Sequence, residues 1–312
     1  MDTETHDACG TEKTNWGRWG SDDERGALNL QTDESRLKAM QAVRTGKLYQ
    51  LGIPLSRGGS PQLDYRGPTQ RLSIASASDQ PWWEAMAESI EIPAPGVGAN
   101  EDMLVMPTHN GTHMDALAHV YKNEQYYNGH PTSSTTTQAG SQKVGIDKAG
   151  GFAGRAVMLD IAGHLGVDVL EPGFVITDEL LEEVREAQAT RIDPGDILLL
   201  RTGWMEGFRR AYQKGESVSF LQPGTGLGAM AFVDRYDISV IGADNQAVES
   251  FPTEGSFLSG HVALLVNRGI HLIENLYLAE LAADDVHEFF LAVGVLPIVG
   301  GSASPVNPIA IA

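Results

Sequence analysis

The sequence predicts a single α/β domain, and three observations support that prediction. Nearly continuous apolar runs of strand length, such as GRAVMLDIAG at 154–163, are typical of strands that are buried on both faces of a sheet. These runs alternate with stretches in which apolar residues recur at helical spacing, and such alternation is typical of α/β folds. The 35 glycines and 15 prolines indicate many turns and loops rather than a helical bundle.

The amino-terminal part of the chain is polar and contains the segment NWGRWGSDDERGALNL. We expect residues 1–45 to form an arm that packs on a body comprising residues 46–312. Within the arm, a helix is expected from Asp33 to Thr45, with Leu37, Met40 and Val43 on one side. The segment LYQLGIPLS predicts the first strand, and the Gly/Pro-rich RGGSPQLDYRGPTQR after it predicts a long loop of the kind that often carries function.

The clearest helix follows Thr177, whose side chain can cap its first turn. Asp178 and Glu179 suit the positive end of the helix dipole, and an apolar side is formed by Leu180, Leu181 and Val184. PGDILLLRTGW then predicts a turn and a buried strand. Two further helix-then-strand units are expected in GLGAMAFVDRYD with ISVIGAD and in HVALLVNRGI with HLIENL. The carboxyl-terminal EFFLAVGVLPIVGGSASPVNPIAIA predicts a strand, a break and another strand.

The charge and cysteine content exclude several classes of protein. With 22 Lys+Arg against 41 Asp+Glu, the formal charge is −19, which disfavours binding to nucleic acids and to anionic membrane surfaces. Cys9 is the sole cysteine, so an internal disulfide and a cysteine-based zinc site are excluded, and we expect no catalytic role for it. The acidic start and the lack of a long apolar run predict a cytoplasmic protein without a membrane span.

Three of the nine histidines lie within eleven positions, and an aspartate lies among them. His113 and Asp115 are two residues apart, which places both side chains on the same face of an extended segment. His109 can join them only if the turn around Gly111 folds back. His119 lies one helical turn beyond Asp115 if ALAHV begins a helix.

Imidazole and carboxylate groups together are the ligands that Zn²⁺ and Mn²⁺ prefer. A catalytic ion of this kind keeps one coordination position open for water, lowers the pKa of that water to about 7 and polarises a substrate carbonyl. A histidine that does not bind the ion could move protons. The alternative is that these histidines are hydrogen-bonded structural groups.

The segment HNGTHMDALAH at 109–119 resembles the His-x-Gly-Thr-His-x-Asp-x-x-x-His motif of the Putative cyclase family, which includes bacterial kynurenine formamidases and isatin hydrolases. The segments NWGRWGSDDERGALN, PGDILLLRTGW, IGADNQAVE, HVALLVNRGIHLIENL and SPVNPIA also resemble blocks of longer members, so the similarity covers nearly the whole chain. It implies one cyclase-like domain with a mixed, barrel-like sheet and flanking helices.

The resemblance implies two alternative metal sites. The formamidase arrangement holds two ions at positions that match His109, His113, Asp115, His261 and Glu274. In that arrangement Asp115 bridges the two ions, and His119 matches the proton-transfer histidine. The isatin hydrolase arrangement holds a single Mn²⁺ through His, Asp and a downstream Gln, for which Gln246 is the candidate. Both arrangements stay open, as does the choice between Zn²⁺ and Mn²⁺.

The sequence therefore predicts a metal-dependent hydrolase that opens a cyclic amide, a lactone or an aryl formamide. The pair Ala116-Leu117 replaces a proline that is often found in the formamidases, which weakens the case for formylkynurenine as substrate. The alternatives are a metal-dependent lyase, dehydratase or cyclase that stabilises an enolate, and a non-catalytic metal-binding protein. We expect a small neutral substrate, because the chain is strongly acidic. An aromatic substrate is one alternative, since the chain carries tryptophans that can serve as anchors or as substrate platforms: Trp16, Trp19, Trp82 and Trp83. A homodimer or homotetramer is expected.

Overall fold

A curled sheet forms the centre of this computed structural model, which describes residues 13–61, 63–218 and 220–312. Cys9, and the part of the predicted arm that spans residues 1–12, lie outside the described residues. Over the described ranges the strands are β1 (Leu48–Gln50), β2 (Gln70–Ala75), β3 (Glu101–Val105), β4 (His113–Asp115), β5 (Thr135–Thr136), β6 (Gly140–Ser141), β7 (Phe152–Asp160), β8 (Val175–Ile176), β9 (Ile197–Arg201), β10 (Gly224–Thr225), β11 (Val240–Ala243), β12 (His271–Glu274), β13 (Glu288–Val293), β14 (Ala303–Pro305) and β15 (Ile309–Ile311).

The helices flank the sheet and its loops. They are α1 (Asp33–Ala39), α2 (Gln80–Ser89), α3 (Ile146–Ala149), α4 (Ile161–His164), α5 (Asp178–Ala187), α6 (Trp204–Lys214), α7 (Met230–Tyr236), α8 (Ser259–His261) and α9 (Ala279–Ala283), and α8 continues into a π-helix over Val262–Arg268. Within the residues described, no helix is both long enough and apolar enough to cross a membrane.

Nine strands form the main sheet in the described residues, in the order β1-β15-β13-β7-β9-β11-β12-β4-β14. Its centre is parallel, with β7, β9, β11 and β12 side by side, and the flanking strands pair antiparallel. The apolar runs that predicted buried strands form this parallel centre, where β9 and β11 are almost wholly buried. The prediction of an α/β fold is confirmed, and the sheet is mixed and curled into a half-barrel.

The carboxyl ends of the parallel strands meet at one edge of the sheet. This edge carries Asp160 at the end of β7, Arg201 at the end of β9, Asp244 just after β11 and Glu274 at the end of β12. Strand β4 lies antiparallel beside β12, with His113 opposite Glu274. The sheet thereby brings polar groups from distant parts of the sequence to one place.

The helix predicted after Thr177 is confirmed as α5. The Thr177 hydroxyl accepts a hydrogen bond from the backbone N–H of Leu180 at 3.3 Å, and the side chains of Leu181 and Val184 are buried. A cap of this kind stabilises a helix by about 1 kcal/mol. The other two predicted helix-then-strand units are also present, as α7 with β11 and as α8 and the π-helix with β12.

The predicted helix over 33–45 is shorter than expected. Helix α1 ends at Ala39 and a 3-10 turn follows over Met40–Ala42. Leu37 and Met40 are 69% and 61% exposed, whereas Ala39 and Ala42 are buried. The small alanine side chains allow the helix to lie close to β7, and the larger apolar side chains therefore face outward. The boundary between an arm and a body at residue 45 stays a prediction.

Candidate metal centre

Strand β4 places His113 and Asp115 on the same side of the sheet, as expected from their spacing. Both residues are almost fully buried. The Nδ1–H of His113 donates a hydrogen bond to the carbonyl oxygen of Gly111 at 2.9 Å, which leaves Nε2 of the same ring directed toward the carboxylates. Its Nε2 lies 3.5 Å from Asp115 Oδ1 and 3.2 Å from Glu274 Oε2.

The turn at Gly111 brings His109 back to the same cluster. Gly111 has a φ of +68°, and a Cβ at this position would approach Leu55 Cδ2 to 2.6 Å, so the turn requires glycine. His109 Nδ1 lies 2.9 Å from Asp115 Oδ1. The His-x-Gly-Thr-His-x-Asp spacing thus corresponds to a strand preceded by a tight reversal.

His119 lies in a tight turn and not on the helix that the sequence analysis considered. Its backbone N–H donates to the carbonyl oxygen of Ala116 at 3.0 Å, and the turn ends at Val120 without continuing into a helix. Its Nε2 lies 3.8 Å from Asp115 Oδ2, and its side chain is 21% exposed, more than any other side chain of the cluster. His119 therefore stands at the solvent side of the cluster.

Two residues from the carboxyl-terminal half complete the cluster. His261, at the end of α8, has its Nε2 3.4 Å from Glu274 Oε1 and 3.9 Å from Asp115 Oδ2. Glu274 ends β12, so sheet pairing places its carboxylate beside His113. The sequence analysis grouped these residues by resemblance, and the structure brings both of them within 4 Å of the 109–119 segment.

The cluster contains several buried polar atoms for which the described residues offer no hydrogen bond of acceptable geometry. They are His109 Nδ1, His113 Nε2, both carboxylate oxygens of Asp115 and Glu274 Oε1. Buried carboxylate oxygens without partners are costly, and a cation bound among them would satisfy them. The donor set, imidazole nitrogen and carboxylate oxygen, suits a borderline divalent ion. The residues present therefore fit a metal ion.

The possible ligand atoms form two overlapping sets. In the first set His109, His113 and Asp115 each offer one atom, and all three atoms lie within 4.8 Å of one another. In the second set Asp115, His119 and His261 meet the same condition. Asp115 is the member that both sets share, and its two oxygens point to different histidines.

Burial and neighbouring charge set the protonation of the cluster. Burial lowers the pKa of His119 to about 4, so its imidazole is neutral at pH 7 and can accept a proton. Burial also opposes a charge on His261, but hydrogen bonds to Glu249 and Glu274 raise its pKa to about 10. Burial likewise opposes a charge on Asp115, yet the surrounding imidazoles hold its pKa well below the usual range.

Gln246 follows β11 at the same edge of the sheet. Its backbone N–H donates to the side-chain oxygen of Gln222 at 2.7 Å. Gln246 also lines a cavity of about 230 Å³ together with Ser60, Trp204 and Phe208. Its role as a metal ligand stays a prediction.

The same cavity contains an aromatic ladder that the sequence analysis did not single out. On α6 the rings of Trp204 and Phe208 stack with centroids 5.7 Å apart, and those of Phe208 and Tyr212 with centroids 6.4 Å apart. The signal was present as aromatic residues at a spacing of four in GWMEGFRRAY. Of the tryptophans considered from the sequence, Trp82 is 57% exposed.

Two contacts connect this cavity to the histidine cluster. Ile53 packs with Trp204 in a small apolar cluster, and its N–H donates to the Thr112 hydroxyl at 2.9 Å, directly before His113. Ser60 lines the cavity, and its hydroxyl lies 3.9 Å from the position that a Cβ on Gly111 would occupy. The cavity wall and the 109–113 turn are therefore packed against each other.

A second missed residue is Glu249, in the loop after β11. It is 3% exposed, and its carboxylate contacts His261 Nδ1. Residues 249 and 261 do not belong to one helix or strand, so the sequence pattern alone held no signal for this pair.

Comparison with solved structures and curated proteins shows which proteins this chain is similar to. The crystal structure of a novel cyclase superposes with a TM-score of 0.87 at 32% sequence identity, covering 96% of this chain and 100% of that chain. Isatin hydrolase A from Labrenzia aggregata, bound to benzyl benzoate, superposes with a TM-score of 0.59 at 19% identity, covering 86% of this chain and 94% of that one, and so shares the fold.

Among curated proteins, Cyclase-like protein 3 of Oryza sativa subsp. japonica is 26% identical over 217 residues. The match spans 65% of this chain and 66% of the rice protein, just under two thirds of its length. The family model described as "Putative cyclase" matches residues 52–250, which is more than half of the chain. This match, together with the 32% identical structure, shows that the chain belongs to the Putative cyclase family.

Proposed function

We propose that this protein is a metal-dependent hydrolase that opens a cyclic amide, a lactone or an aryl formamide. The observation that carries the proposal is the buried cluster in which carboxylate and imidazole atoms converge without hydrogen-bond partners among the described residues. A structural role would leave these atoms unsatisfied, whereas a divalent cation satisfies them. Isatin hydrolases share the fold, which supports hydrolysis as the reaction class.

The metal ligands proposed are His109, His113, Asp115, His261 and Glu274. A divalent ion, Zn²⁺ or Mn²⁺, would supply a Lewis acid that polarises a carbonyl and makes water more acidic. The overlap of the two possible ligand sets at Asp115 supports the arrangement with two ions. Gln246 would be a ligand in the arrangement with one ion.

His119 is proposed to carry the proton. It is the most exposed member of the cluster, and its imidazole is neutral at pH 7, because burial lowers its pKa to about 4. Its Nε2 can accept a proton from the attacking water and return it to the leaving nitrogen or oxygen. Asp115 Oδ2, 3.8 Å from this nitrogen, would stabilise the imidazolium that forms.

Removing the metal should abolish hydrolysis. We expect that dialysis against a chelator reduces turnover of an aryl formamide, an aryl lactone and a cyclic amide to background, and that Mn²⁺ or Zn²⁺ restores it. Metal analysis of the active protein measures the number of ions per chain and so separates the two proposed arrangements.

Reaction in ¹⁸O-labelled water provides the control for the reaction class. Hydrolysis incorporates one solvent oxygen into the acid product, whereas a lyase or dehydratase does not. Full activity in metal-free protein, or turnover without label in the product, would contradict the proposed function.

The aromatic ladder supports an aromatic group in the substrate. Trp204 is the buried end of the ladder, so we expect Trp204→Leu to raise KM for aryl substrates by about tenfold, the loss of about 1.4 kcal/mol of stacking and contact. KM for an aliphatic lactone should change much less. The measurement is a comparison of kcat and KM for matched aryl and aliphatic substrates.

Tyr236→Leu is the control, because Tyr236 is an aromatic residue that contacts Phe232 on α7 and does not line this cavity. It should leave KM for both substrates within about twofold. Equal effects of Trp204→Leu on aryl and aliphatic substrates would show that the cavity does not select aromatic groups.

A homodimer or homotetramer is also proposed. Strands β2 and β3 form a two-stranded sheet whose apolar side chains are exposed: Leu72, Ile74, Met103, Leu104 and Val105. Clusters of exposed apolar residues are typical of interfaces between protein chains, which supports an assembly of copies.

A further inference from the structure

We propose that Glu249 is a positioning residue for His261, and that it holds the imidazole so that Nε2 is free to bind a metal ion. This inference rests on the proposed function, because it concerns one of the proposed ligands. Glu249 belongs to no possible ligand set found among the described residues, and it lies outside the 109–119 motif.

Both carboxylate oxygens of Glu249 accept hydrogen bonds from residues of α8. Its Oε2 accepts the backbone N–H of Gly260 at 2.9 Å, and its Oε1 accepts the backbone N–H of His261 at 3.2 Å. Oε1 also receives a short hydrogen bond from His261 Nδ1. Because a carboxylate can only accept here, Nδ1 carries a proton, and Nε2 is the ring nitrogen that faces Asp115 and Glu274 and would bind the ion.

These hydrogen bonds distinguish Glu249 from the carboxylates among the proposed ligands. Both oxygens of Asp115 and Oε1 of Glu274 have no hydrogen-bond partner among the described residues, so they are available to a cation. Both oxygens of Glu249 are used by backbone and ring N–H groups instead. A carboxylate that hydrogen-bonds the far nitrogen of a metal-binding histidine fixes the orientation of the ring and strengthens it as a ligand.

Two glycines allow this approach. A Cβ on Gly260 would come within 2.7 Å of Glu249 Cβ, and a Cβ on Gly224 would come within 2.3 Å of the Glu249 carbonyl carbon. A larger residue at Gly260 would push Glu249 away from α8, and a larger residue at Gly224 would push Glu249 away from β10. The loop itself is held by the Asn245 side chain, whose oxygen accepts the N–H of Val248 at 2.8 Å.

The experiment is metal competition on the full chain. Mn²⁺ and Zn²⁺ are titrated against a chelating dye, and the apparent Kd and the number of ions per chain are measured for each variant. Glu249→Ala removes all three acceptor contacts, so we expect metal affinity to fall by about 10- to 100-fold. Glu249→Gln retains one acceptor oxygen but loses the charge and one acceptor, so its loss should be smaller, about three- to tenfold.

Asp244→Asn is the matched control for general destabilisation. Asp244 is equally buried and accepts the backbone N–H groups of Thr202 and Gly203, but it contacts no histidine in the hydrogen bonds of the described residues. We expect its metal affinity to stay within about twofold of the wild type even if its melting temperature falls.

Four results would overturn the proposal. Wild-type affinity and stoichiometry in Glu249→Ala would show that His261 needs no positioning, and an equal loss in Asp244→Asn would show a general effect of buried acids. If Glu249→Ala does not fold, Glu249→Gln decides, and binding indistinguishable from wild type overturns the inference. A wild-type chain that binds no divalent ion overturns the proposed function as well, which separates the two failures.

Discussion

Replacing Asp115 with asparagine should empty the metal centre and reduce kcat/KM by at least about 10³-fold. Asp115 is the residue shared by both possible ligand sets, and its oxygens lie 2.9 Å from His109 Nδ1 and 3.8 Å from His119 Nε2. Asparagine preserves the size of the side chain but removes the negative charge that a cation requires. A metal ion contributes several kcal/mol to stabilising a polarised carbonyl, which corresponds to this loss in rate. Metal analysis after dialysis, together with steady-state kinetics, measures both effects.

Asp196→Asn is the control for this prediction. Asp196 is also a buried carboxyl group, but it pairs with Arg155 instead of with histidines. This variant should retain its metal and its turnover. Asp115→Asn protein that still holds metal and still turns over substrate would show that the ion, if present, lies elsewhere.

Replacing His119 with alanine should lower kcat by about 10²- to 10⁴-fold and leave the metal content intact. The expected loss is that of a general acid-base group. The metal should remain because His119 is not one of the proposed ligands. Three of those ligands, His113, His261 and Glu274, are more deeply buried than His119. The measurement is kcat with metal content determined on the same sample.

This variant also separates two roles for His119. Its Nε2 lies within 4.8 Å of the ligand atoms of Asp115 and His261, so it could also bind the ion. Loss of metal in parallel with activity would identify His119 as a ligand, and unchanged turnover would exclude it from the reaction. His164→Ala, on a partly buried His that pairs with Glu183 outside the cluster, should behave as wild type.

Much of the fold could be predicted because local patterns decide it. The apolar run of β7 and the capped helix α5 have the period and the end signals of their elements, and both formed as expected. The 33–45 segment shows the limit of such patterns. Leu37 and Met40 recur at helical spacing, yet the structure buries Ala39 and Ala42 instead. The segment lies close to the sheet, so the small alanine side chains face inward whatever the apolar periodicity.

The candidate site also has one part that local sequence predicts and one part that it does not. Residues 109–119 determine a possible ligand group by themselves, since a two-residue spacing on a strand and a glycine turn bring His109, His113 and Asp115 together within one short segment. The sequence alone thereby determined the core of the candidate site and the class of chemistry it supports.

Only the tertiary structure decided which distant groups join that core. Glu274 reaches His113 because β12 pairs with β4. Glu249 reaches His261 because Gly260 in α8 and Gly224 in β10 allow the loop after β11 to approach closely. These contacts join residues that are 161 and 12 positions apart, and no single helix or strand contains both residues of either pair. Sheet order and close backbone packing set them, and both depend on the whole chain being folded.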